Sequence, residues 1–399
     1  LFFESGFIYD VIIMTELSFL SEEERKFQAE AREFVRKTLA PVAEDIEQGK
    51  IEAWDIIRKF GKAGYLGARY PVEYGGIAKG LMYEVLVTEE ICAVHAGFDM
   101  ARVASCILFA HPVFEFGTEE QKKKYLTPVA QGKKIGALGI TEPNVGSDVA
   151  GTETRAEKRG EKYFINGEKR FITNGPIADY LLCYSVTDPK VKAKQGMTAF
   201  IVETKSKGFE VVEEYELLGM HGAHVGHLAL KDVEVPKENI LGELNGGFRV
   251  VMAGLDAERT ILAAEMNGVA RAAMDEAVHY SNHRVQFRRK IREFEGISFK
   301  IADMAVKLEA ARLLTFKAAR MIDAGTHATK DAAIAKLYAC ETAIETATEA
   351  LQVLGGIGYT KQRPVERFLR DARLMTIGGG TAEILRYLIQ REVFREYDL

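Results

Sequence analysis

The chain is 399 residues long, 47% hydrophobic and 28% charged, and carries 58 acidic against 53 basic side chains for a formal net charge of −5. That length divides into two or three packed domains, and that composition excludes disorder. There is no basic excess to mark a nucleic-acid partner, and no apolar run approaches the about 20 residues of a membrane span.

Four scattered cysteines, Cys92, Cys106, Cys183 and Cys340, have no paired spacing. They read as reduced thiols of a cytoplasmic protein, with neither a disulfide framework nor a metal site. Residues 1–13 precede Met14, where MTELSFLSEEERKF makes a conventional start. They lack the basic or Arg-rich character of a targeting segment and read as an extension with no role in the fold.

Residues 14–137 read as helical. Ser21 and Glu24 make an S-x-x-E capping box ahead of an amphipathic run that turns Phe27, Phe34 and Val35 inward. Thr118 and Gln121 repeat the signal before KKKYL, and Gly64 to Gly76 is a loop punctuated by Gly and Pro. From 138 to 245 the texture changes to short β-branched and aromatic runs separated by Gly, Asn, Asp and Pro, the pattern of an antiparallel sheet domain. Helical texture returns at 246 and holds to 399. Helices, strands, helices make an α+β chain. A Rossmann oxidoreductase is disfavoured, because βαβ alternation and a G-x-G-x-x-G after a strand are both missing.

Four segments carry chemistry. GITEPNVGSD, Gly139 to Asp148, combines backbone that can approach a ligand with the hydroxyls of Thr141 and Ser147. KRFITNGP, Lys169 to Pro176, sets Thr173 beside Phe171. Each alone also suits a plain strand and turn. QVLGGIGY, Gln352 to Tyr359, offers adjacent glycines to a pyrophosphate, or to helix packing. IGGGTAEI, Ile377 to Ile384, puts glycines and Thr381 at a helix N-terminus.

In this order and spacing the four segments resemble the acyl-CoA dehydrogenase family. The likeness runs from about residue 17 to residue 396 and takes in YPVEYGG, FGTEEQKKKYL, DVEVPKENILG and ISFKIADM. It implies an N-terminal helical domain, a middle β-domain and a C-terminal four-helix bundle, assembled as a homotetramer. It also implies FAD, an acyl-CoA substrate oxidised to the enoyl-CoA, and electrons passed to an electron-transfer flavoprotein. By position, Thr141 and Thr173 match residues that bond the isoalloxazine, and Phe171 packs on it. Arg284 and Phe287 match a cofactor segment lent by the adjacent subunit, Gln352 and Gly356 its pyrophosphate contacts, Thr381 and Glu383 its dinucleotide contacts. Ser147 and Asp256 match groups near the CoA pantetheine.

Many members place the catalytic base as the Glu of YEGT. Gly379 stands there in this chain, so the base must come from elsewhere. A branch that includes isovaleryl- and long-chain-type enzymes supplies it from the helix that opens the C-terminal domain, and the matching residue is Glu258 in GLDAERT. A carboxylate in a dry thioester pocket is shifted toward a useful base. The backbone N–H of Gly379 remains available to bond the thioester oxygen. Glu265, two helical turns on, either crowds the site or pairs with a cation.

Three stretches depart from the family pattern. Val145 replaces a small residue, LGMHGAHV carries His221, Ala223 and Val225 at polar positions, and QFRRK, Gln286 to Lys290, loses a glycine. Asp99, counted back from His111 and Pro112, falls where glutaryl-CoA dehydrogenases carry an Arg for a distal carboxylate. An acid there argues against a dicarboxylic substrate, since two carboxylates repel at low dielectric. Asp99 then either caps its helix or pairs with Arg102 at i+3, or it enters the pocket as a second acid/base for an alicyclic carboxyl-CoA. A flavin oxidase using O2 is the other alternative.

Overall fold

A computed structural model describes residues 19–397, so the extension 1–13 lies outside the described residues. Both capping boxes form. Ser21 Oγ accepts from the Glu24 N–H at 3.2 Å while Glu24 Oε2 accepts from the Ser21 N–H at 2.8 Å, which starts the helix Glu22–Thr38. Thr118 and Gln121 repeat the exchange at 3.2 and 3.0 Å. Three glutamates in the first turn and Arg36 and Lys37 in the last complement the dipole of the first helix.

The strands are β1 Gly136–Gly139, β2 Arg155–Arg159, β3 Lys162–Thr173, β4 Tyr180–Val186, β5 Met197–Glu203, β6 Phe209–Glu214, β7 Val225–Pro236 and β8 Ile240–Leu241. They join in the order β6-β7-β3-β2-β4-β5-β8, with β1 beside β4. Pairing is antiparallel except where β1, and one residue of β2, meet β4 in parallel. Ile165, Ile172, Leu181, Phe200, Leu228 and Val233 fill one face as a buried core. Opposite β7, the register of β3 slips between Lys169 and Ile172. The slip gives Phe171 a φ of +55° and leaves it 62% exposed, while Ile172 is buried.

The chain forms two compact units that do not follow chain order. One takes the residues up to Glu44, Leu81–Ala96 and everything from Arg259; the other takes Asp45–Gly80 and Gly97–Glu258. In the first, the helix Leu81–Cys92 packs against Glu22–Thr38 and against Glu295–Asp323, and the latter pairs with Thr329–Leu354. Asp323 accepts from the N–H groups of Leu81 and Met82 at 2.6 and 3.0 Å, so a residue far along the chain caps that helix.

Charges lie at the centre of this unit. Buried Glu90 accepts from Arg271 at 2.8 Å through both oxygens, from Arg32 at 3.0 and 3.1 Å and from Gln28 at 2.9 Å. Burial would raise its pKa, but Arg271 and Arg32 outweigh burial and bring it to about 2. Buried Glu89 accepts from Arg312 at 3.0 Å.

Candidate active site

In the second unit three elements enclose a cleft around Glu258. The helix Gly247–His283 contributes Val251, Gly254, Leu255 and Glu258, spaced i, i+3, i+4, i+7 on one face. Ile107, Leu108, His111 and Pro112 form a second wall, where a π turn over Ala104–Phe109 runs into the helix Ala110–Phe116. Leu138, Ile140 and Tyr184 form the third. The parallel register sets Leu138 beside Leu182. Carried two residues on, it sets Ile140 beside Tyr184, with Leu138, Ile140 and Tyr184 on one face of the sheet. The short parallel strand therefore builds this wall. Glu258 is half-buried in surroundings that are otherwise mainly apolar.

Two of the lining groups are polar and buried. Burial and the Glu258 carboxylate push the Tyr184 phenol up, so it stays protonated. Burial and the Arg69 guanidinium hold His111 well below the usual imidazole range, so it stays neutral.

The loop after Ile140 is fastened by a pair that sequence reasoning missed. Lys169 and Glu142 are both buried, 2.6 Å apart. Glu142 also accepts from the N–H groups of Glu153 and Thr154 at 2.6 and 3.1 Å, and Lys169 donates to the Tyr184 carbonyl at 2.8 Å. Burial alone would raise the Glu142 carboxyl; Lys169 overrides it and holds the group below its ordinary range. The Thr141 carbonyl accepts from the Arg170 N–H at 2.8 Å, which ties Thr141 to the bulge carrying Phe171, two residues before Thr173. Val145 is buried and bridges back to Glu142. Ser147 is exposed and Asp256 half-buried.

Asp99 does not line this cleft. Its carboxylate and the Arg102 guanidinium, both fully buried, meet at 2.5 and 3.3 Å. His221 and His224, in the divergent LGMHGAHV stretch, bond Glu47 at 3.0 Å and Glu52 at 2.9 Å.

The first unit holds the remaining residues. Gln352, Gly355 and Gly356 are exposed, and a Cβ added at either glycine would meet nothing within 4 Å. Gly358 differs, since a Cβ there would lie 2.8 Å from the Leu351 carbonyl oxygen. Room for a ligand and close helix packing thus fall on different glycines of one motif. Thr381 Oγ1 accepts from the Ile384 N–H at 3.3 Å and opens the helix Ala382–Tyr397, where Glu383 is exposed.

Gly379 has a φ of +63°. Lys336, fully buried, donates to the carbonyls on either side of it, Gly378 and Gly380, at 2.6 Å each. In a trans peptide the N–H points opposite to the C=O. Lys336 therefore turns the Gly379 N–H away from itself and leaves it able to donate elsewhere. Glu265 is buried in the same unit. Arg284 and Phe287 are exposed, Phe287 on the two-residue turn of the hairpin Val285–Gln286 and Arg289–Lys290. With φ of +50° and +65°, Phe287 and Arg288 form this turn without the glycine it favours.

Each unit by itself offers features that suit part of a flavin dinucleotide. In the unit with the sheet, Phe171 offers an exposed ring and Arg170 Nε is buried without a hydrogen-bond partner. In the helical unit, Gly355 and Gly356 leave their backbone unshielded.

Residues 21–133, 137–233 and 245–394 match the models of the acyl-CoA dehydrogenase N-terminal, middle and C-terminal domains. The chain is 40% identical over 378 residues to the mitochondrial isovaleryl-CoA dehydrogenase of Pongo abelii, covering 93% of this chain and 89% of that one. The butyryl-CoA dehydrogenase structure from Megasphaera elsdenii superposes with a TM-score of 0.91 at 39% identity, over 94% and 99% of the two chains. A chain in a structure described as the electron transferring flavoprotein of Acidaminococcus fermentans gives 0.92 at 40% identity, over 94% and 99%.

Proposed function

The chain belongs to the acyl-CoA dehydrogenase family, and we propose that it oxidises an acyl-CoA thioester to the enoyl-CoA with Glu258 as the base that takes the α-proton. The cofactor of the family is FAD, which when bound supplies the acceptor for the β-hydride. The observation that carries this reading is a half-buried carboxylate on the wall of a mainly apolar cleft, in a chain with glycine where many relatives carry the base.

A carboxylate in a poorly solvated pocket is a stronger base than the same group in water, which is what the role assigned to Glu258 requires. The Gly379 N–H, aimed by Lys336, donates to the thioester oxygen and stabilises the charge that builds there as the proton leaves. Thr141, Phe171 and Thr173 hold the isoalloxazine, Gln352 and Gly356 the pyrophosphate, Thr381 and Glu383 the dinucleotide. Arg284 and Phe287 reach the cofactor of an adjacent subunit in a homotetramer, a role that suits their exposure. Ser147 and Asp256 take the pantetheine arm. Asp99, already paired with Arg102, is the weakest of the substrate assignments.

An electron-transfer flavoprotein is the partner that this reading assigns. The setting it assigns is the cytoplasm, in keeping with four buried cysteines that form no disulfide. Among the described residues no helix is long and apolar enough to cross a membrane.

Glu258→Gln tests the reading. The variant is expected to keep its FAD and its affinity for acyl-CoA, while anaerobic bleaching of the flavin slows by about 10²–10⁴-fold. Bleaching at the normal rate would move the base elsewhere.

A further inference from the structure

The Glu258 cleft holds two polar atoms that the reaction above does not use. Tyr184 is 1% exposed and its Oη has no hydrogen-bond partner. His111 is 6% exposed and its Nδ1 has none either, with Glu115 Oε1 standing 3.8 Å away. Nearly all buried polar groups in folded proteins are paired, because an unmet one forfeits its interaction with water and gains nothing. Here two such groups, one on a strand and one on a helix, line the same cleft. They mark a place where something else completes them.

The surroundings decide what that is. The other lining side chains apart from Glu258 are apolar, so a fully charged group would lose its hydration with no counter-ion on the lining; the Arg69 guanidinium that acts on His111 is not among the lining groups. An anion would also meet the Glu258 carboxylate. Tyr184 and His111 are both neutral, and a phenol and an imidazole can each donate or accept. A neutral group that does both is the complement.

We propose that Tyr184 and His111 form a polar subsite in the Glu258 cleft that binds a hydroxyl or secondary amide of the thioester substrate and so helps to decide which thioesters the enzyme accepts. The inference rests on the reading of this cleft as the substrate site. Such a group has two sources, the pantetheine arm common to all CoA thioesters or a hydroxyl carried by the acyl chain itself.

Titration calorimetry on the FAD-loaded protein separates these cases. The probes are two unreactive thioethers, S-butyl-CoA and S-(4-hydroxybutyl)-CoA, and the proteins are wild type, Tyr184→Phe and His111→Phe. Loss of a hydrogen bond is expected to weaken binding roughly 5- to 20-fold. Equal weakening of both thioethers assigns the subsite to the pantetheine arm. Weakening of the hydroxylated thioether alone assigns it to the acyl chain. Tyr184→Phe removes only an unpartnered hydroxyl, so the thermal midpoint without thioether is expected to hold or rise.

Unchanged affinity for both thioethers in both variants would overturn the subsite. So would a falling midpoint in Tyr184→Phe with affinity unchanged, since the hydroxyl would then serve the fold. Failure of wild type to bind either thioether would instead sink the acyl-CoA reading, a different result from wild type and variants binding alike.

Discussion

Glu90→Gln should cost the helical unit much of its stability, and the size of the loss follows from the contacts. The wild-type carboxylate accepts from Arg271, Arg32 and Gln28; burial would raise its pKa, but the two guanidinium groups bring it from an ordinary 4.5 to about 2. By linkage that displacement contributes about 3 kcal/mol at pH 7. Because the folded-state pKa is depressed, the contribution is complete above the unfolded value and is lost as pH falls from 4.5 toward 2. At pH 3.5 about 2 kcal/mol remains. Glutamine keeps one acceptor but turns an NH₂ group toward a buried guanidinium, so little is regained. The assay is urea unfolding of the FAD-loaded protein at both pH values, followed by far-ultraviolet circular dichroism. A loss below about 1 kcal/mol at pH 7, or the same loss at both pH values, would refute the linkage argument.

Three further outcomes are expected. Asp99→Asn should lower stability by about 2–4 kcal/mol, because it leaves the Arg102 guanidinium buried with a neutral partner. The relative rates of flavin bleaching by straight, branched and alicyclic acyl-CoAs should stay unchanged, and a reordering of that panel would restore Asp99 to the acyl pocket. Lys336→Met should strand the Gly378 and Gly380 carbonyls, lower the thermal midpoint and slow flavin reduction more than it weakens acyl-CoA binding. Equal effects on rate and affinity would argue against aiming of the Gly379 N–H. Arg288→Gly should stabilise the protein by about 0.5–1 kcal/mol by relieving a left-handed φ at a non-glycine residue, read from thermal unfolding. A loss there would mean that the arginine side chain matters more than the backbone.

The capping boxes were legible because a three-residue spacing of Ser or Thr with Glu or Gln states both hydrogen bonds at once. The possible pairing of Asp99 with Arg102 was legible for the same local reason, as an i, i+3 spacing on one helix. Glu258 was not legible from chemistry alone, since a lone Glu in a helix reads as surface; the resemblance singled it out. Lys169 and Lys336 gave no signal, because each finds its partners on segments remote in sequence. Four residues of β1 are too few to show a period, so the parallel pairing that builds one wall of the cleft was hidden. The β3 bulge was hidden too, because a β-branched, aromatic run reads as an unbroken strand.

The scattered make-up of the two units bears on how the protein emerges from the ribosome. All residues of the unit with the sheet have been synthesised once Glu258 is added, so it can fold while the rest of the chain is still being made. The other unit cannot. Its helices Glu22–Thr38 and Leu81–Cys92 are among the first made, yet their partners Arg271, Arg312, Arg320 and Asp323 come well over 100 residues later. Until then Glu24, Glu89 and Glu90 have lost their guanidinium partners on the late helices, and apolar faces that will be buried stay open to water. Nascent chains stalled before Arg271 should therefore protect the sheet from protease while leaving the first helix open to cleavage.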